Sequence, residues 1–160
     1  KSYVPYVLET SIGLDRMFLA VFSNSLQEEE LENGTSRVVL KLPAVLAPTK
    51  AAILPLVKKD GLPEIARKIV EDLKWDFSVT YDEKDAVGRR YRRQDAVGTP
   101  FCITVDHDTL EDNTVTIRHR DTMEQKRVKI EELSNIIKKE VDVNEALKFI
   151  SKEQLIAANY

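Results

Sequence analysis

The stretch Ala51-Ala-Ile-Leu-Pro-Leu-Val57 contains no polar side chain. It is far shorter than the roughly 18 consecutive apolar residues of a membrane-crossing helix, and it has the length of a strand buried on both faces. A strand of that kind needs a covering layer on each side, so this short run already points to helices stacked on both sides of a sheet. Phe101-Cys-Ile-Thr-Val105 is a second such run.

Between the two runs, the pattern switches period twice. Pro63 suits the first turn of a helix whose stripe is Leu62, Ile65, Ile69, Val70 and Leu73. Trp75-Asp-Phe-Ser-Val-Thr-Tyr81 then alternates as a half-buried strand does. Asp85 is placed to cap a basic helix that ends at Gly98, where Thr99-Pro100 prevents its continuation. After the second apolar run, a loop over 106–113 leads to Thr114-Val-Thr-Ile-Arg118 and Gln125-Lys-Arg-Val-Lys-Ile130, an antiparallel pair turning near Asp121-Thr122. Ile130, Leu133, Ile136 and Ile137 mark a further helix, and 142–160 reads as weak helix or frayed tail. The expectation is an α/β fold: a mixed sheet of about five strands flanked by helices, its first crossovers parallel.

Upstream, Tyr3-Val-Pro-Tyr-Val-Leu8 reads as a strand, and Ser11 as the cap of a helix with apolar positions Ile12, Leu14, Met17, Phe18, Val21 and Phe22. Such wide apolar coverage expects partners on more than one side. The polar stretch 28–36, with its Asn33-Gly34 turn signal, reads as a linker, and Val38-Val-Leu-Lys-Leu42 as a short strand after it. The expected division is an N-terminal strand–helix unit at 1–31 and an α/β domain at 32–160. Without an initiator methionine and opening on the edge of a strand, Lys1 looks like an internal boundary of a longer chain.

The net charge of −3 argues against indiscriminate nucleic-acid binding, yet the charges are segregated. Glu28, Glu29, Glu30 and Glu32 crowd one stretch, and Lys84, Arg89, Arg90, Arg92 and Arg93 another. Salt screens each charge within about 8–10 Å, so a local basic surface can hold phosphate on an acidic protein. The single cysteine, Cys102, lies in an apolar run and has no second thiol for a disulfide or metal site, which reads as buried core. With no spanning run and no signal peptide pattern, the composition points to the cytoplasm and away from a membrane.

Three constellations could carry chemistry. In Glu9-Thr-Ser-Ile-Gly-Leu-Asp-Arg16, Gly13 after a strand and Arg16 one turn into a helix can set a guanidinium over a phosphate; alternatively Arg16 pairs with a surface acid and Gly13 allows close packing. In Asp85-Ala-Val-Gly-Arg-Arg-Tyr-Arg-Arg93, Arg89, Arg92 and Arg93 share a helix face while Arg90 lies nearer Val87 and Tyr91; that face is either a phosphate-backbone contact or simply solvated. Asp106-His107-Asp108 ends one strand, and Arg118-His-Arg120-Asp121 ends a later one. Acids and arginines converging at strand ends could read a base edge with His107 stacking, or the aspartates form only Asx-turns. No zinc-ligand spacing is present.

Taken together, Lys1-Ser-Tyr-Val-Pro-Tyr-Val-Leu-Glu-Thr-Ser-Ile-Gly-Leu-Asp-Arg16 resembles the third signature motif of class II aminoacyl-tRNA synthetases in its glycyl-tRNA synthetase form. Leu46-Ala-Pro-Thr-Lys-Ala51, Val87-Gly-Arg-Arg-Tyr-Arg-Arg-Gln-Asp-Ala-Val-Gly-Thr-Pro-Phe101, Thr104-Val-Asp-His-Asp-Thr109 and Arg118-His-Arg-Asp-Thr-Met-Glu-Gln125 resemble that family's anticodon-binding domain. The resemblance runs to about Val141.

It implies that Arg16 contacts ATP phosphate, that Glu9 helps hold ATP and its Mg2+, that Ser11 lies near the glycine substrate, and that Gly13 belongs to the same ATP- and substrate-binding motif. In such a domain the anticodon contacts are expected at Arg89, Asp106, His107, Asp108, Arg118 and Arg120, with Arg89 holding base or backbone, and tRNA backbone contacts at Arg92 and Arg93. The implied parent is a cytoplasmic, homodimeric, ATP-dependent glycine ligase acting on glycine tRNA. The present stretch, without the first two signature motifs, is expected to be inactive alone and to hold no cofactor. The competing expectation is a non-enzymatic synthetase-like accessory or nucleic-acid interaction module.

Overall fold

The computed structural model describes residues 2–31 and 34–148. A helix, α1 (Leu14–Ser25), is followed by a two-stranded hairpin, β1 (Leu26–Glu30) and β2 (Ser36–Leu40). The larger unit runs β3 (Ala51–Pro55), α2 (Leu62–Leu73), β4 (Val79–Tyr81), α3 (Val87–Val97), β5 (Phe101–Val105), α4 (Thr109–Asp112), β6 (Thr114–His119), β7 (Gln125–Lys129), a 3-10 turn (Ile130–Glu132) and α5 (Leu133–Val141).

Its sheet has the order β4-β3-β5-β6-β7. β3 pairs in parallel with both β4 and β5; β6 runs antiparallel to β5, and β7 to β6. The α/β expectation therefore holds, with five strands and a mixed sheet. Because strand side chains alternate, each strand contributes to two surfaces. Ala51, Ile53, Phe101, Ile103, Val105, Val115 and Ile117 form one face and pack with Leu62, Ala66, Ile69 and Leu73 of α2 and Leu133 and Ile137 of α5. Ala52, Leu54 and Cys102 form the smaller opposite cluster, covered by Tyr91 of α3. All five residues of β3 and of β5 are buried, as continuous apolarity requires.

Several expectations change. Residues 2–13 form no strand and are exposed, and they pair with no edge of either sheet. Gly13, not Ser11, is the N-cap of α1, with no side-chain cap bond. Leu14, Met17, Phe18 and Leu19 remain exposed, and only the rings of Phe18 and Phe22 stack, at 5.9 Å.

The stretch read as a linker is mostly hairpin. Glu29 stands directly opposite Arg37, and Arg37 Nε donates to its carboxylate at 2.8 Å, so cross-strand charge complementarity overrides poor strand propensity. The strand expected at Trp75 begins only at Val79: turn bonds from the amides of Asp76 and Phe77 to Leu73 O extend the end of α2, leaving Trp75 exposed. Asp85 does not cap α3; Ala86 holds that position, and Asp85, at φ 70°, gives its carboxylate to Arg93. The 106–113 loop contains the single turn α4. Of the expected tail, 143–148 is helical, and 149–160 lies outside the described residues.

Candidate nucleic-acid interface

The helices α2 and α5 close one side of the sheet, while the other carries only α3, which reaches β3 and the hairpin. Beyond α3, the strands β5, β6 and β7 present Thr104, Thr114, Thr116, Arg118 and Arg127 on a polar face. Period-two alternation places them there, opposite Val115, Ile117 and Val128, which meet α5.

Asp106 sits just past β5, and its carboxylate receives both Nη atoms of Arg127, one at 2.9 Å. Arg127 Nε donates to Thr114 Oγ1 at 2.6 Å, fixing the guanidinium plane. The paired guanidinium holds the Asp106 carboxyl below its ordinary value, so it stays ionised. Asp108 is far more exposed and lies 3.9 Å from the same arginine. His107 is exposed, its Nε2 3.2 Å from Asp60. Asp106 is also an Asx-turn residue, accepting from the Thr109 amide and hydroxyl, so the two readings of this motif coexist.

The expected convergence of Arg118 and Arg120 on Asp106 does not occur. In the antiparallel β5–β6 register Phe101 faces His119 and Cys102 faces Arg118, which sets the end of β6 at the start of β5. With a rise of about 3.3 Å per residue, Cys102 and Asp106 lie roughly 13 Å apart along the strand. Arg118 instead forms a bidentate pair with buried Asp95 at 2.8 and 3.0 Å and lies 4.9 Å from the Tyr91 ring centroid. The Tyr91 hydroxyl in turn bonds Thr104 Oγ1 at 2.6 Å. Arg120 is buried and donates to Gly98 O, Leu42 O and Asp121.

The basic helix divides its arginines as its periodicity predicts, with Arg90 turned inward and Arg89, Arg92 and Arg93 at least partly exposed. Arg90 is the buried one, donating to Pro55 O at 2.6 Å, Asp82 O at 3.1 Å and Leu56 O at 3.3 Å, which pins the start of α3 across the carboxyl ends of β3 and β4. Arg93 is held by Asp82 and Asp85, each at 2.8 Å. Arg92 bonds Ser36 O at 2.7 Å and so joins α3 to the hairpin. Arg89 is exposed on the first turn of α3, which Arg90 ties to the carboxyl end of β3.

Glu9, Ser11, Gly13 and Arg16 lie on the exposed N-terminal segment, with the Arg16 methylenes folded near Gly13. No cluster of three or more metal-ligating side chains occurs among the described residues. Among the described residues, no helix is long and apolar enough to cross a membrane.

Arg127, Asp95, Arg37 and Arg90 are the structural surprises. Period two in β7 does place Arg127 on the polar face with Thr116, a signal readable from the alternation alone. The Arg37–Asp95 pair spans 58 residues and leaves no local trace.

The sequence matches the family described as anticodon binding domain over residues 50–140. It is 55% identical over 118 residues to the glycine–tRNA ligase of Borrelia hermsii (strain HS1 / DAH), covering 74% of this chain and 26% of that protein. It is 56% identical over 124 residues to the glycine–tRNA ligase of Rhodopirellula baltica, covering 75% and 23%. The chain thus spans about a quarter of the length of these curated relatives. Among solved structures, prolyl-tRNA synthetase from Cryptosporidium parvum complexed with L-proline and AMP superposes with a TM-score of 0.61 at 21% identity, over 79% of this chain and 34% of that one, which is a likeness of fold. The match extends over the whole of the mixed sheet just described, and the chain belongs to the anticodon binding domain family.

Proposed function

We propose that the polar sheet face and the adjoining first turn of α3 bind the anticodon loop of glycine tRNA, within a longer, homodimeric, ATP-dependent glycine–tRNA ligase of the cytoplasm. The observation that carries this reading is the Asp106–Arg127 pair: an ionised carboxylate and a planar guanidinium, side by side and partly open to solvent. Glycine codons begin with two guanines, so the anticodon carries two cytosines, each offering an amino donor beside acceptor atoms. A carboxylate accepts from that amino group while a guanidinium donates to the acceptors. Asp108 and His107 adjoin the pair as further contacts, His107 through its ring face, and Arg89 adds a contact from the first turn of α3. Arg118 and Arg120 support the site through Tyr91 and the loops, and Arg92 and Arg93 meet RNA backbone only where their present partners leave N–H groups free.

Glu9, Ser11, Gly13 and Arg16 belong in this reading to an ATP and glycine site completed by other parts of the protein.

Charging kinetics of the full-length protein test the reading. Replacing either anticodon cytosine by uracil should cost the parent enzyme about 1–3 kcal/mol per base. Arg127→Ala and Asp106→Asn should shrink that penalty while leaving glycine-dependent pyrophosphate exchange unchanged. Variants that discriminate as sharply as the parent would remove this pair from the reading site.

A further inference from the structure

At the carboxyl end of the parallel strands most acids have a partner, while Glu111 on α4 is exposed without one among the described residues. Asp82 and Asp85 are taken by Arg93, Asp60 lies against His107, Glu83 accepts from the Tyr81 hydroxyl, and Asp106 is taken by Arg127. Lys58 and Lys59 on the loop after β3, Lys84 on the loop after β4, and Arg89 on α3 are exposed with no side-chain partner among the described residues. Arg90 binds Pro55 O, Leu56 O and Asp82 O, so the loop after β3 and the loop after β4 are both tied to the start of α3. The first turn of α3 has no side-chain cap and no acidic residue, which adds the positive end of an 11-residue helix to the same edge. Gly88, in that turn, leaves the space above it open.

We infer that Lys58, Lys59 and Lys84 form a cationic rim that carries the ribose-phosphate backbone of the RNA whose bases meet the neighbouring polar face. The inference rests on the anticodon reading and assigns to three lysines a part that the base-edge contacts do not have. Lysine suits it: a mobile point charge follows a backbone without fixing its sequence, whereas planar Arg127 is held in one orientation by Asp106 and Thr114.

Binding of glycine tRNA to the full-length protein, measured across a salt series, tests the rim. Each phosphate contact contributes about 0.7–0.9 to the slope of log K against log salt, so Lys58→Gln/Lys59→Gln/Lys84→Gln should lower the slope by roughly 2–3. The weakening should be the same factor for parent and cytosine-substituted anticodons, and the triple arginine replacement should restore the slope. Removing equal charge at Lys68, Lys138 and Lys139, exposed on α2 and α5, should leave it in place. An unchanged slope in the rim variant, or an equal fall in the remote control, overturns the rim. If the parent itself fails to distinguish the substituted anticodons, the base-reading proposal fails independently of the slope.

Discussion

Asp95 receives both nitrogens of the Arg118 guanidinium, at 2.8 and 3.0 Å, and a third donor from Arg37 at 3.0 Å, with all three side chains buried. One carboxylate on α3 thereby ties the hairpin to the middle of the sheet. Burying these charges carries a desolvation cost that the pairing offsets, and removing the shared acid would leave two guanidinium groups in the interior.

Asp95→Ala should therefore destabilise the protein by about 3–5 kcal/mol, the usual range for breaking a buried pair from one side. Urea unfolding followed by circular dichroism measures it, and a loss below about 1 kcal/mol would mean that the site relaxes or hydrates, as exposed pairs do.

Gly98 closes α3 at φ 82°, and a Cβ there would come within 3.0 Å of Leu40 O. Gly98→Ala combines left-handed strain of about 1–2 kcal/mol with a contact to backbone that cannot swing aside. A lower melting temperature is expected, with the hairpin amides losing hydrogen-exchange protection first. Equal protection of hairpin and sheet would show that the two do not share this contact.

The parts legible in the sequence were those set by local pattern. Continuous apolarity identified β3 and β5, and the stripe from Leu62 to Leu73 identified α2. Tyr3–Leu8 misled because aromatic and β-branched residues report only fitness for a strand, while the strand itself must pair with an edge. The hairpin was missed for the converse reason: glutamates in β1 are poor strand formers, yet Glu29 finds Arg37 across the ladder and Lys41 beside it. Arg118 and Arg120 were assigned to the interface because they follow a strand, but strand direction decides which end of the sheet they reach, and nothing in residues 114–120 encodes that β6 runs against β5.

Cys102 is almost wholly buried between β3 and β6, and burial pushes its thiol up to about 12. The reactive thiolate is thus scarce at neutral pH. Iodoacetamide should label the native protein at the rate of global unfolding and the urea-unfolded protein within minutes. Rapid native labelling at pH 8 would place Cys102 outside the core.

His119 Nε2 lies 3.0 Å from the Glu140 carboxylate, joining the end of β6 to α5, and that hydrogen bond raises the imidazole above its ordinary value. A raised folded-state value means that the contribution is complete below the unfolded value of about 6.5 and disappears as pH rises through the folded one. Glu140→Gln should lower the melting temperature more at pH 5.5 than at pH 8.5. The same difference at both pH values would exclude a charged pair.

Arg89 and Arg120 stand at equal distance from expectation in the sequence but not in the fold, and a pair of variants separates them. Arg120 is 2% exposed, with donors committed to Gly98 O, Leu42 O and Asp121, while its own carbonyl accepts from Arg37. Truncating it leaves those acceptors buried and unpaired, at about 1–3 kcal/mol for each unsatisfied group. Arg120→Ala should therefore lower the melting temperature, with any loss of tRNA charging following the loss of folded protein. Arg89 is exposed and its side chain makes no hydrogen bond or ion pair among the described residues, so its truncation should cost little stability. In the full-length protein, Arg89→Ala should keep the parent melting temperature and glycine activation but raise the Michaelis constant for tRNA about tenfold, the effect of losing about 1.4 kcal/mol of binding. Thermal melts and charging kinetics on the same preparations decide the matter: an unchanged Michaelis constant removes Arg89 from the interface, and a raised one for Arg120→Ala at full stability puts Arg120 back.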